Sequence, residues 1–187
     1  MTVKRLLHSP AISYDALRRI IQRTYPAYDL EIRDGEYVVV APHDAVSSNV
    51  VIRLGSLLDG FVRANKLGHV FDSNGGIQYP DGDKLAPDVA YVSRERLPVL
   101  PRTFARVIPE LVVEIRSGSQ TQRATRNKLA SLLAKGSSVG LYVDPGTHVV
   151  EVHRLGAEPV ILGDGDRVEI PDLLPGFGFA VAELWPQ

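Results

Sequence analysis

The sequence contains no cysteine. This absence excludes a cysteine-ligated zinc finger, a thiol nucleophile and a redox-active disulfide. It also favours a reducing compartment over a secreted location. A chain of 187 residues, 44% of them hydrophobic, is long enough to bury a sizeable core. We therefore expect a fold that needs neither disulfides nor a structural metal.

Long apolar runs and an excess of charge of one sign are also absent. No segment approaches the roughly 18 consecutive apolar residues of a membrane-spanning helix. No long apolar run follows Lys4 and Arg5, so we expect no signal peptide. The formal net charge is -1, which counts against a general nucleic-acid coat but is compatible with an enzyme that has a local binding patch. These absences predict a cytoplasmic protein without a membrane span.

Three segments have apolar residues at the three- and four-residue steps that are typical of helices. They are residues 12–24, 44–65 and 122–134. Asp34-Gly35 lies between two extended stretches and is a strong hairpin signal. Short apolar runs predict further strands at 76–79, 87–92, 111–116, 139–143, 149–155, 159–162 and 167–170.

The order of these elements predicts the fold class. Strands and helices alternate in the middle of the chain, which favours an α/β fold with a mixed central sheet flanked by helices. We expect a single domain over residues 1–187, with its core at about 44–145. An N-terminal hairpin precedes this core, and a C-terminal β extension at 146–187 follows it.

Glu114 interrupts the most apolar strand pattern, Leu-Val-Val-Glu-Ile-Arg. Because side chains alternate along a strand, Glu114 shares one face with Val112 and Arg116. A carboxylate among apolar neighbours is costly to bury unless it is paired or bound to a metal. Asp88 begins another short strand and supplies a second carboxylate. Two such carboxylates can hold one hard divalent cation, which would polarise a phosphoryl group and help form hydroxide.

Each candidate residue also has a simpler interpretation. Asp88 can begin a turn, and Glu114 can form an ion pair with Arg116 on an exposed strand. Lys128 can cover the core with its aliphatic stem, and Glu31 can be an ordinary exposed hairpin charge. The apolar neighbours of Glu114, taken together with Asp88, favour the metal site. The five histidines have no metal-ligand spacing and are expected at the surface or in loops.

Several segments share their order and spacing with one group of proteins. They are residues 31–36, the long helix after Pro42, Pro87-Asp88-Val-Ala-Tyr-Val, Pro109-Glu-Leu-Val-Val-Glu114-Ile-Arg-Ser117, Lys128, residues 136–145 and Leu174-Pro-Gly-Phe. In this order they resemble the PD-(D/E)XK superfamily, and more closely its bacterial branch of restriction-endonuclease-like proteins of unknown function. The resemblance implies a restriction-endonuclease-like fold and a Mg²⁺- or Mn²⁺-dependent endonuclease that acts on DNA.

The resemblance also implies a role for each candidate residue. Asp88 and Glu114 would bind the metal ion. The superfamily usually has its catalytic lysine two positions after the glutamate, where this chain has Arg116, which can stabilise charge but is a poor general base. The branch often places a lysine in the next helix, matching Lys128, which would orient the attacking water. Glu31 would join the site. Enzymes of this type commonly act as dimers, so a homodimer or higher homo-oligomer is expected.

The sequence departs from this family pattern in two places. Residues 47–49, early in the long helix, are Ser-Ser-Asn where the branch often has a histidine, and Gly118 replaces a proline. Two alternative functions therefore stay open. One is a catalytically degenerate binding or structural module, which Arg116 and the near-neutral charge favour. The other is a metal-dependent hydrolase that acts on another phosphate ester.

Overall fold

The computed structural model describes residues 5–6 and 12–186. Its α-helices are α1 (Tyr14–Thr24), α2 (Ala45–Ala64) and α3 (Gln122–Ala134), and a 3₁₀ helix covers Val181–Leu184. These confirm the three helices predicted from apolar spacing. Each begins at a polar cap, since the side chains of Ser13, Asp44 and Thr121 accept hydrogen bonds from backbone N–H groups of the first turn.

The strands of the described chain are short and form two six-stranded sheets and a small two-stranded sheet. In chain order they are β1 (Arg5–Leu6), β2 (Asp29–Arg33), β3 (Glu36–Val40), β4 (Gly68–Asp72), β5 (Ile77–Gln78), β6 (Lys84–Leu85), β7 (Val89–Ser93), β8 (Ala105–Arg106), β9 (Leu111–Ile115), β10 (Val139–Asp144), β11 (Val149–His153), β12 (Val160–Leu162), β13 (Arg167–Glu169) and β14 (Gly178–Ala180).

The central sheet has the strand order β12-β11-β10-β9-β7-β4. β9 and β10 are parallel and are joined through α3, whereas the other neighbouring pairs are antiparallel. This confirms the predicted mixed sheet flanked by helices. The predicted C-terminal β strands are present: β11 and β12 lie beside β10 in the central sheet, and β13 pairs with β14.

The second sheet has the order β1-β3-β2-β6-β5-β8 and contains the predicted hairpin. β2 and β3 pair in antiparallel register, with Arg33 opposite Glu36. Asp34 and Gly35 both have positive φ, at 52° and 76°, as a tight two-residue hairpin turn requires. In this sheet, β2 carries Glu31 and β6 carries Lys84.

The two faces of the central sheet are covered by different elements. Leu111, Val113 and Ile115 of β9 belong to a cluster with α2 and the C-terminal residues. Val112 belongs instead to a second cluster that contains Leu129 and other residues of α3. This confirms the predicted alternation along β9.

By length and composition, α2 alone among the described helices could cross a membrane, which the apolar count from the sequence did not anticipate. Its side chains Val50, Leu54, Leu58 and Val62 are buried in the core. A helix that packs on a core meets the same criteria, so α2 is weak evidence for a membrane span.

Candidate active site

Glu114 lies on β9 beneath α3 and is 3% exposed. The ammonium of Lys128, on the facing side of α3, lies 2.8 Å from Glu114 Oε1. Glu114 Oε1 is buried, and the contact that the described residues make to it is this ion pair. Lys128 also donates a hydrogen bond of 3.3 Å to the carbonyl of Ala86.

Glu31 reaches the same ammonium from the second sheet. Its Oε1 lies 3.6 Å from Lys128 Nζ and accepts a hydrogen bond from the backbone N–H of Ala86. Its other oxygen is paired with Arg33. Glu31 is 4% exposed, so its interpretation as an ordinary exposed hairpin charge was wrong. The hairpin thus contributes a buried carboxylate to the surroundings of Lys128.

Asp88 stands directly before β7 and is held by three contacts. Its N–H donates to the carbonyl of Val113, and its Oδ2 accepts a 2.6 Å hydrogen bond from the N–H of Ile115. Its Oδ1 is 2.9 Å from Nε2 of His43. The two bonds to β9 flank Glu114 in sequence, so the neighbouring strands bring both acidic residues to one region of the sheet.

His43 is a site residue that sequence reasoning missed. It precedes the cap of α2, four positions before the Ser-Ser-Asn segment where the family pattern often has a histidine. The carboxylate of Asp44 fixes this position, because its two oxygens accept hydrogen bonds from the N–H groups of Ser47 and Gly118. A proline at position 118 would lack the N–H, so glycine there is part of the local hydrogen bonding.

A cavity of about 300 Å³ connects these groups. Glu31, His43, Asp88 and Lys128 line it, and Glu114 lies behind Lys128. These side chains come from the second sheet, the start of α2, the start of β7 and α3. The central sheet and the second sheet, which contains the β2–β3 hairpin, therefore both contribute to this pocket.

Burial and neighbouring charges shift the pKa values of these groups in opposite directions. Burial raises the pKa of Glu114 to about 8; Lys128 opposes this rise, and the charge of Asp88 adds to it. Burial also raises the pKa of Asp88, but the hydrogen bond of His43 and the charge of Lys128 outweigh it, so the net pKa is lowered. Burial disfavours charge on Lys128, yet the Glu114 and Glu31 carboxylates leave its pKa raised. The raised pKa favours the protonated ammonium, which suits Lys128 to charge stabilisation rather than to proton abstraction.

Arg116 is not brought to the cavity. Its Nε lies 2.8 Å from Oδ1 of Asp144, a fully buried carboxylate at the end of β10. The other oxygen of Asp144 accepts hydrogen bonds from Tyr142 and Gln122. The sequence placed Arg116 on the face of Glu114, but β9 ends at Ile115 and the guanidinium turns to the neighbouring strand. Its predicted catalytic role has no contact in the described residues to support it.

We expect Asp144→Asn to lower the free energy of unfolding by about 2 kcal/mol at pH 7, because Arg116 would lose its buried partner. Burial raises the pKa of Asp144, but the Arg116 hydrogen bond outweighs it, and the net pKa is lowered. A lowered folded-state pKa stabilises the protein above the unfolded value, about 4 for aspartate, and this contribution disappears at lower pH. Urea denaturation from pH 7 to pH 3 should show the difference shrinking; an unchanged difference would contradict this account.

The donor set fits one hard divalent cation. No three histidine, aspartate or glutamate side chains within residues 5–6 and 12–186 converge as a metal cluster. Mg²⁺ needs fewer protein ligands, since it is usually bound through one or two carboxylates together with water and phosphate oxygens. Each oxygen of Asp88 has one hydrogen-bond contact, and Glu114 Oε1 contacts the Lys128 ammonium, so each of these oxygens keeps a lone pair for a metal ion.

Known proteins with a similar structure or sequence pattern support the restriction-endonuclease-like fold. The structure is similar to that of a protein from Anabaena variabilis ATCC 29413 described as a putative nuclease belonging to DUF820, with a TM-score of 0.75 and 17% sequence identity. The alignment covers 92% of this chain and 97% of the other. No curated protein sequence matches. The model of the Uma2 family, described as "Putative restriction endonuclease", matches residues 14–182. This chain therefore belongs to the Uma2 family and has a restriction-endonuclease-like fold.

Proposed function

We propose that this protein is a metal-dependent endonuclease that hydrolyses phosphodiester bonds in DNA. One observation carries the proposal: Lys128 is a buried cation in the lining of the cavity and lies within ion-pair distance of Glu114 and Glu31, and Asp88 lines the same cavity. Burying four ionisable groups together is costly. Such clusters in a cleft are typical of functional sites.

Asp88 and Glu114 would hold the Mg²⁺ or Mn²⁺ ion, which when bound supplies a Lewis acid for the phosphoryl group and for water. Lys128 would place a fixed positive charge where negative charge develops on the phosphate. His43 would orient Asp88 by its hydrogen bond, as supporting residues around metal sites commonly do. Glu31 would hold Lys128 in place from the hairpin.

A catalytically degenerate module is the second candidate. It is favoured by the position of Arg116, which stands in place of the superfamily lysine and is paired with Asp144 outside the cavity. Such a module would keep the fold without binding metal. A cytoplasmic location and assembly into homodimers stay predictions from the sequence and the family resemblance.

Titration calorimetry with Mn²⁺ separates these functions. Wild-type protein is expected to bind one equivalent of the ion, and Asp88→Asn should weaken binding by at least about tenfold because it removes an anionic ligand. Glu151→Gln is the matched control, since Glu151 is also buried but pairs with Arg126 on the outer part of α3. Absence of Mn²⁺ binding by the folded wild-type protein would favour the degenerate module.

A further inference from the structure

Lys84 lines the cavity and has no ion-pair partner among the described residues. The lysine and arginine side chains that line it are Arg18, Lys84 and Lys128. Arg18 forms a bidentate ion pair with Asp29, with distances of 2.7 and 2.8 Å, and Lys128 is paired with Glu114. Within residues 5–6 and 12–186, no carboxylate forms an ion pair with Lys84. Its charge is therefore available to an anion that enters the cavity.

The backbone and two aromatic rings fix the position of Lys84. Its strand, β6, pairs on one side with Ile32 of β2 and on the other with Gln78 of β5. Its ammonium lies 4.1 Å from the ring centroid of Tyr14 and 5.1 Å from that of Phe104. The rings hold the ammonium by cation–π attraction while contributing no negative charge that would neutralise it.

The aromatic support is closely packed. Gly76 lies against Phe104 so tightly that a Cβ atom at position 76 would overlap the ring. Tyr14 is buried, and its hydroxyl donates to the carbonyl of Leu30. Lys84 therefore needs little reorganisation to present its charge, and a bound anion would meet a preformed site.

We propose that Lys84 binds a backbone phosphate of the nucleic-acid substrate, adjacent along the strand to the phosphate that the metal ion at Asp88 and Glu114 would bind. This inference rests on the proposed function and adds a substrate-positioning residue from the second sheet. Phosphate contacts by lysine fix the register of nucleic acid without reading its sequence. Lys84 would thus align the nucleic-acid strand so that the phosphodiester bond next to the bound phosphate reaches Lys128.

The test measures binding of fluorescently labelled duplex DNA by anisotropy, without divalent ions so that cleavage does not occur. Loss of one phosphate contact in Lys84→Gln should lower the slope of log K against log salt by about 1. Affinity at low salt should fall by about fivefold or more, equally for unrelated sequences. Lys84→Arg should retain the slope.

Lys66→Gln is the matched control, because Lys66 is exposed and lies beyond the far end of α2 from His43. A 20-residue helix spans about 30 Å. DNA binding by wild type with equal slopes for the Lys84→Gln and Lys66→Gln variants would overturn the role of Lys84 and leave the proposed function standing. A lower melting temperature with an unchanged slope would show a structural role instead. No DNA binding by folded wild-type protein would overturn both proposals.

Discussion

Replacing Glu114 with glutamine is expected to lower the rate of Mg²⁺-dependent DNA cleavage by at least about 100-fold. Substitution of residues that merely support a metal ligand commonly costs 10- to 100-fold, and Glu114 is proposed as a ligand itself. Glutamine keeps the size of the side chain, so the pocket beside Lys128 should remain filled. The measurement is the single-turnover cleavage rate of labelled duplex DNA at saturating protein.

Glu110→Gln provides the control, because Glu110 stands directly before β9, the strand that carries Glu114. Glu110 is 6% exposed, compared with 3% for Glu114, and it forms an ion pair with Arg96 at the opposite end of β9. Its substitution removes a buried charge without touching the cavity, so cleavage should stay within about twofold of wild type. Equal losses in both variants would show that the Glu114 effect is structural and would contradict its role as a metal ligand.

Lys128→Met should reduce the free energy of unfolding by about 3 kcal/mol. The ammonium compensates two buried carboxylates, Glu114 at 2.8 Å and Glu31 at 3.6 Å. Removing one member of a buried ion pair leaves the partner without compensation, which commonly costs 3–5 kcal/mol. Urea denaturation at pH 9, above the raised pKa of Glu114, where its carboxyl carries a charge, measures the loss. The same variant should also lose cleavage activity.

A double variant separates the ion pair from general packing. Lys128→Met combined with Glu114→Gln should recover at least about 1 kcal/mol relative to the sum of the single effects, because the uncompensated charge is gone. Lys135→Met is the control for activity. Lys135 is equally exposed at 12% and pairs with Asp81 and Asp83, so its loss should destabilise the fold and spare cleavage per folded molecule. Strict additivity in the double variant would contradict the coupling.

Local sequence rules predicted much of the central architecture. The alternation along β9 correctly separated Glu114 and Val112 from Leu111, because strand geometry depends only on neighbouring residues. The hairpin at Asp34-Gly35 followed from the conformational needs of two adjacent residues. The edge strand β4 was not predicted from the sequence, and its residues are only partly buried or exposed.

The composition of the candidate site depended on contacts between distant residues. His43 and Asp88 are 45 positions apart, and Glu31 and Ala86 are 55 positions apart. No periodicity in either segment encodes these contacts. The first joins the residue before α2 to the residue before β7, and the second depends on the pairing of β2 with β6. The sequence did contain one local indication for His43, its place immediately before the cap residue of the longest helix. The spacing of the histidines gives no such indication, since it is not that of metal ligands.

The most direct test of the central claim is the anomalous scattering of a crystal of the wild-type protein soaked in Mn²⁺. The account predicts a manganese peak in the cavity, with carboxylate oxygens of Asp88 and Glu114 both at about 2.1 Å. The Lys128 ammonium should lie beside the bound ion without displacing it. A fully soaked crystal in which no peak touches these two carboxylates, and in which Lys128 still pairs with Glu114 as it does here, would contradict the claim.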